Sequence, residues 1–369
     1  MPRPRWIAPW ADSETKPAIY HCISRVVDQR FAFTPTDKEQ FRIYMRMMEN
    51  FSGCRVLAYC IMSNHFHLML EVPPKSKHDL TDKELLKRLS ALYTKPQVAT
   101  IAKELANARE VVAKGLAPNG DAYIRAIQER FTYRMHDLSE FMKTLLQRFT
   151  RWHNTRTDRK GNLWEENFKS VIVEDGLASK TIAAYIDLNP VRADIVKDPA
   201  EYRWSSYGEA MGATGKNTGN KARGGLVRAI MADKGWKADA RHWPGRVSRE
   251  YRMLLLEEGV EKTRETRDQQ GNPITQVVRK GINPPNASAE LETLTQQRDI
   301  SLRQLLKWRT RYFTDGAVIG SREFVENFFN QCRNRFGPKR KTGARKMRGN
   351  TPTTETVPLW TIRDLKKNP

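Results

Sequence analysis

His65-Phe66-His67 sets two imidazoles at i and i+2. The two-residue period of a strand puts both on one face and turns Phe66, Leu68 and Leu70 to the other. Two such rings can hold one divalent cation and leave its other positions to a third ligand, water and substrate. Two surface histidines on a half-exposed strand would look the same, so the pair needs support from elsewhere. Tyr185 and Asn189 offer it. On a helix they are i, i+4 neighbours with Cβ atoms about 6 Å apart, a phenol beside a hard oxygen ligand. A phenol with an ordinary pKa of about 10 is a weak nucleophile, and a cation polarising a scissile phosphate lowers the demand on it. The plainer reading is a tyrosine packed at a helix–sheet seam, with Asn189 closing its helix ahead of Pro190. Glu71, on the same strand face as the histidines, and Glu165 are further carboxylates that could approach a cation; the bland reading of Glu71 is a solvated strand end. Trp164 and Phe168 read as core, and His21 as a packed or hydrogen-bonded histidine. Tyr202 and Tyr207 have no amide or acid one turn away in a recognisable helix.

The elements that must position these groups follow from pattern. Ala18–Val27 is rich in β-branched and aromatic residues and reads as a strand. Thr36-x-x-Glu39 suggests a capping box for a helix whose apolar face is Phe41, Tyr44, Met45, Met48 and Phe51, with Gly53 at its end. Arg55–Met62 and His65–Val72 form a hairpin across Ser63-Asn64, so the opening is β-α-β-β. A second capping box, Thr81-x-x-Glu84, precedes Leu85, Leu86 and Leu89, and another helix runs from about Leu138 through Phe141, Met142, Leu145, Phe149 and Trp152. Leu177–Leu188 is the helix that carries Tyr185, and Pro190 should stop it.

The chain has 369 residues, 64 Lys+Arg against 42 Asp+Glu and a net charge of +22, with most of the excess after residue 200. Such a charge points to a polyanion partner and away from small neutral substrates. Cys22, Cys54, Cys60 and Cys332 form neither a disulfide framework nor a CxxC metal pattern, and no apolar run approaches a membrane span. The expectation is a cytoplasmic, nucleoid-associated prokaryotic protein with no membrane partner. No Walker-type phosphate loop is found, which leaves ATPase and helicase readings without support.

AIYHCISRV, MSNHFHLML, GNLWEENFKS, YIDLNPVRADIV and DPAEYRWSSY occur in that order between about residues 15 and 207. Together they resemble the single-tyrosine HUH transposases of the insertion-sequence-200 type, and most closely their REP-associated branch. The resemblance implies an α+β fold: a ferredoxin-like antiparallel sheet with helices on one face, here joined to a mainly helical, basic C-terminal region. It implies Tyr185 as nucleophile, His65 and His67 as metal ligands with Asn189 as the third, and Mg²⁺ or Mn²⁺ as cofactor. Asn189 stands where the wider family often has Gln. The implied reaction is nicking and rejoining of hairpin-bearing single-stranded DNA through a 5′-phosphotyrosine. A non-catalytic nucleic-acid-binding regulator on the same fold would share the charge but would not need the His65, His67 and Tyr185 set. Monomer or homodimer, and a tyrosine serving its own or a partner's site, both stay open.

The expected organisation is a catalytic domain over 1–207 with a helical insertion at about 73–176, a Gly-rich linker and short helical segment over 208–289, and a basic helical DNA-binding region over 290–369. In the last, helices are expected near Ser301–Phe313 and Ser321–Asn334. Arg333, Arg335, Lys339, Arg340, Lys341, Arg345, Lys346 and Arg348 follow as a DNA-binding arm. On this reading a chain ending near residue 290 keeps its chemistry and loses DNA affinity.

Overall fold

The structure, a computed structural model, describes residues 5–75, 80–117, 119–212, 219–259, 262–267, 273–279, 311–314, 316–347 and 359–363. Strand β1 (Ala18–Arg25), helix α1 (Pro35–Ser52), strands β2 (Arg55–Ile61) and β3 (His65–Val72), and strand β4 (Lys169–Val173) form the central unit. Their order is β2-β3-β1-β4, with each neighbouring pair antiparallel. This is the ferredoxin-like arrangement, and the α+β reading stands, but helices cover both faces of the sheet where one face was expected, because each face carries its own apolar set to bury. Helix α1 starts earlier than its expected cap. Thr34 and Asp37 form the capping box, because Pro35 is preorganised for the first helical position. Gly53 ends the helix at φ 75°, and a Cβ there would meet the Arg88 and His136 side chains at 2.7 Å.

Helices α2 (Asp82–Leu89), α3 (Lys95–Ala113), α4 (Gly120–Thr132) and α5 (Leu138–Arg156) fill the stretch between β3 and β4. Thr81 and Glu84 cap α2 as their spacing suggests. One face of the sheet buries Tyr20, Cys22, Phe66, Leu68 and Leu70 against Phe41 and Met45 of α1 and Phe149 of α5, with Trp164 and Phe168 in the same core. The other face buries Ile19, Met69 and Val171. Helices α6 (Leu177–Asp187), α9 (Asn220–Ile230) and α10 (Ser248–Gly259) cover it, after short helices α7 (Asn189–Arg192) and α8 (Ser206–Gly212). The histidine face is therefore roofed by elements that follow β4, while α1 and α5 hold the opposite face.

Part of the expected linker is instead buried structure. Its glycines mislead because one of them serves close packing: a Cβ on Gly225 would lie 2.2 Å from the Val56 carbonyl oxygen of β2. Arg228 of the same helix is buried and donates to Glu71 Oε1 at 2.7 and 3.0 Å and to Asp175 at 2.6 and 2.9 Å. Glu71 is thus not a solvated strand end, and its Oε1 is committed to Arg228. Strands β5 (Lys262–Arg267) and β6 (Pro273–Arg279) pair as a hairpin, and β6 falls within Asp268–Ala289, a stretch that reads from sequence as a loop. The remainder of that loop lies outside the described residues.

The C-terminal residues join the same sheet. Strand β7 (Gly316–Gly320) runs parallel to β4, and β9 (Trp360–Arg363) and β8 (Arg345–Lys346) extend the sheet to seven strands. Helix Arg322–Gln331 matches the second expected helix and is capped by Ser321. Of the first, only the turn Arg311–Thr314 is described. The lead-in locks this region down: Trp6 stacks on Phe336 at 5.5 Å between ring centroids, and Trp10 meets Phe324 edge-on at 5.6 Å. Among the described residues no helix is long and apolar enough to cross a membrane, and the four cysteines are buried and unbridged.

Candidate active site

Antiparallel register sets His67 opposite Ile23 and His65 opposite Arg25, so these side chains share the sheet face that α6 covers. The two histidine rings lie 5.1 Å apart between centroids. Helix α6 enters through Gly176 and brings Tyr185 to this face, its ring edge-on to His67 at 5.5 Å and to His21 at 6.0 Å. Phe313, from the turn before β7, packs on Tyr185 at 4.7 Å, and the Arg192 guanidinium lies 4.9 Å from the tyrosine ring centre. Tyr185 is only 6 % exposed, and that exposure faces a cavity of about 430 Å³ whose wall includes Arg25, Gln29, Glu165, Lys169 and Thr314.

Hydrogen bonds orient the imidazoles. Asn64 Nδ2 donates to the Gln29 carbonyl at 3.1 Å, which turns its Oδ1 to His65 Nδ1 at 2.6 Å. Because that oxygen can only accept, His65 carries its proton on Nδ1 and keeps a lone pair on Nε2. His67 Nδ1 faces His21 Nε2 at 3.0 Å, and His21 Nδ1 faces the Phe313 carbonyl oxygen at 2.9 Å. Burial lowers the His65 pKa to about 4, with Arg25 adding to the shift. Burial also lowers His21 to about 4, against the raising effect of its bond to Phe313. His67 falls well below the ordinary value through burial and then through His65 and His21. All three are neutral at pH 7, the form in which imidazole ligates a metal.

Asn189 is half-buried one turn beyond Tyr185. Its Nδ2 donates to the Tyr185 carbonyl at 2.9 Å and to that of Ile186 at 3.2 Å, so the amide closes α6. Closing the helix uses the nitrogen, whereas metal ligation would use Oδ1. Among the described residues no three His, Cys, Asp or Glu side chains gather into a metal cluster. Two neutral imidazoles are donors that suit a divalent metal, and an amide oxygen such as Asn189 Oδ1 is a donor of the kind that harder cations take.

The expected residues come together unevenly. His65 packs beside His67 and His67 meets Tyr185, Asn189 sits one turn on in the chain with its amide bonded back to the end of α6, and Glu165 reaches the cavity wall. Tyr202 is spent elsewhere, its hydroxyl donating to the Ile61 carbonyl at 2.7 Å, and Tyr207 is buried. In the basic arm, Arg333 donates to the carbonyls of Phe336, Gly337 and Pro338, Arg335 lies 3.9 Å from the Trp6 ring centre, and Arg340 donates to Thr342 and Gly343. These three arginines hold the fold. Lys339, Lys341, Arg345 and Lys346 belong to the described surface, and Arg348 lies outside the described residues. Sequence reasoning left out Phe313 and Arg192. Nothing near Phe313 signals a link to His21, 292 positions away.

The family comparison bears on this arrangement directly. Residues 15–110 match the family model described as Transposase IS200 like. That match spans the β-α-β-β unit with both histidines and bears out the resemblance over the first two motifs, AIYHCISRV and MSNHFHLML. No curated protein matches the chain. Among solved structures, one described as the REP-associated tyrosine transposase bound to a REP hairpin is similar over 57 % of this chain and 85 % of its own, with a TM-score of 0.33 and 11 % identity.

Proposed function

We propose that the protein nicks and rejoins hairpin-bearing single-stranded DNA through a phosphotyrosine on Tyr185. The observation that carries this reading is the edge-on contact of Tyr185 with His67, itself packed beside His65, at the wall of an open cavity. His65, His67 and Asn189 would hold Mg²⁺ or Mn²⁺, which when bound polarises the scissile phosphate and steadies the leaving oxygen. Tyr185 Oη forms the bond to phosphorus as the bond to the 3′-oxygen breaks, and the phenolic proton ends on that 3′-hydroxyl. One phosphate ester replaces another, so a second 3′-hydroxyl can reverse the exchange and join strands without ATP. Arg25 and Lys169, on the cavity wall, supply positive charge for the backbone to either side.

Purified protein with Mn²⁺ and a hairpin oligonucleotide bearing unpaired flanks should form a covalent protein–DNA band, and a fully paired blunt duplex should not. His67→Ala should lower the rate at least about 100-fold, since loss of a ligand exceeds the 10–100-fold cost of losing a ligand's own support. Affinity for DNA should persist, because it comes from distributed Lys and Arg. Cleavage that resists EDTA would remove the metal from this reading.

The exposed part of the basic arm adds affinity rather than chemistry. Changing Lys339, Lys341, Arg345 and Lys346 together to Ser should flatten the slope of log K against log salt on single strands by roughly 2–3 units, at about 0.7 per phosphate contact. An unchanged slope in a filter-binding titration would show this charge to be a bystander.

A further inference from the structure

We infer that His21 and the main-chain carbonyl of Phe313 together set the proton positions on the His67 ring, which makes the turn at Phe313 a working part of the active site. A carbonyl oxygen only accepts, so His21 Nδ1, at 2.9 Å from Phe313 O, carries a proton. His21 is fully buried with a carbonyl and an imidazole, not a carboxylate, at its two nitrogens, so a charged ring would have no counter-ion and the ring is neutral with a single N–H. Its Nε2 is then a bare acceptor. That acceptor lies 3.0 Å from His67 Nδ1. Were His67 protonated on Nε2 instead, two lone pairs would face each other at that distance in a buried site, with neither satisfied. His67 therefore carries its proton on Nδ1 and presents a bare Nε2, matching what Asn64 does for His65.

The consequence is a division of labour along the chain. Residues 15–110 contain both histidines and His21. Phe313, which anchors His21, lies far outside that segment and arrives only because β7 pairs with β4. His21 is a positioning residue: it acts on metal or substrate through His67. The metal part of this inference rests on the function proposed above, whereas the proton positions do not.

The test uses the full chain labelled with ¹⁵N at its seven histidines, without metal, and reads ring-nitrogen shifts and their long-range proton couplings. His67 should show a protonated Nδ1 and an unprotonated Nε2, with His21 protonated at Nδ1. In His21→Leu, which removes the acceptor, His67 should shift toward the other tautomer and Mn²⁺ affinity should fall about 10–100-fold. His21→Gln can place Oε1 where Nε2 stood and should restore most of the affinity, which a purely space-filling role would not predict. His67 protonated on Nε2 in the unmodified chain, or unchanged tautomer and Mn²⁺ affinity in His21→Leu, would overturn the inference. If His21→Leu does not fold, the unmodified spectrum still decides. An unmodified chain that binds no Mn²⁺ but shows the expected tautomers would sink the metal reading and leave the proton positions standing.

Discussion

Tyr185→Phe should leave DNA bound and uncut, with no covalent band at any time or metal concentration. The substitution removes the one atom that forms the bond to phosphorus. It preserves the ring that packs on Phe313 at 4.7 Å and lies beside His67 and Arg192. A change this close to volume-conserving should cost less than about 1.5 kcal/mol of stability, so lost cleavage would not reflect lost fold. Substitution by neighbouring phenols is not expected, since Tyr202 is bonded to Ile61 and buried away from the cavity. The check is a denaturing gel beside a melting curve and a binding isotherm. Residual adduct in Tyr185→Phe would move the nucleophile elsewhere.

A chain ended at residue 310 should not fold to the native domain. The removed part supplies Val318, Ile319, Val325, Phe328, Phe329 and Ile362, all essentially fully buried. At about 1.5–3 kcal/mol for each large apolar side chain, the loss equals or exceeds the typical 5–15 kcal/mol that holds a domain folded. It would also strip the edge of β4 and take away the partners of Trp6 and Trp10. The expectation of an independent DNA-binding tail, from which the catalytic part could be cut free, gives way to this interlocked sheet. Aggregation or loss of a cooperative melt is the expected outcome. A truncated chain that melts like the whole and nicks DNA would show the C-terminal strands to be dispensable.

What the sequence made legible was local. The alternation in HFHLMLEV, the short turn at Ser63-Asn64 and the helix around Tyr185 each follow from spacing a few residues long, and each stands in the structure. The meeting of Tyr185 with His67 came from motif order, not from spacing, because periodicity does not reveal which helix roofs a sheet. Long-range pairing was the hidden part. The basic run after Arg333 looks like a tail because its charge is conspicuous, while the strands that anchor it are only two to five residues long. Gly225 looked like linker because close approach and flexibility use the same residue. The bond from Phe313 to His21 involves a main-chain oxygen, which no residue type announces.

The most direct measurement is peptide mapping by mass spectrometry after incubating the full chain with Mn²⁺ and a hairpin oligonucleotide bearing unpaired flanks. The account predicts a nucleotide attached through its 5′-phosphate to the peptide containing Tyr185, and to no other tyrosine. A nucleotide on a different residue, or cleaved DNA with no covalent intermediate under conditions that trap one, would contradict it.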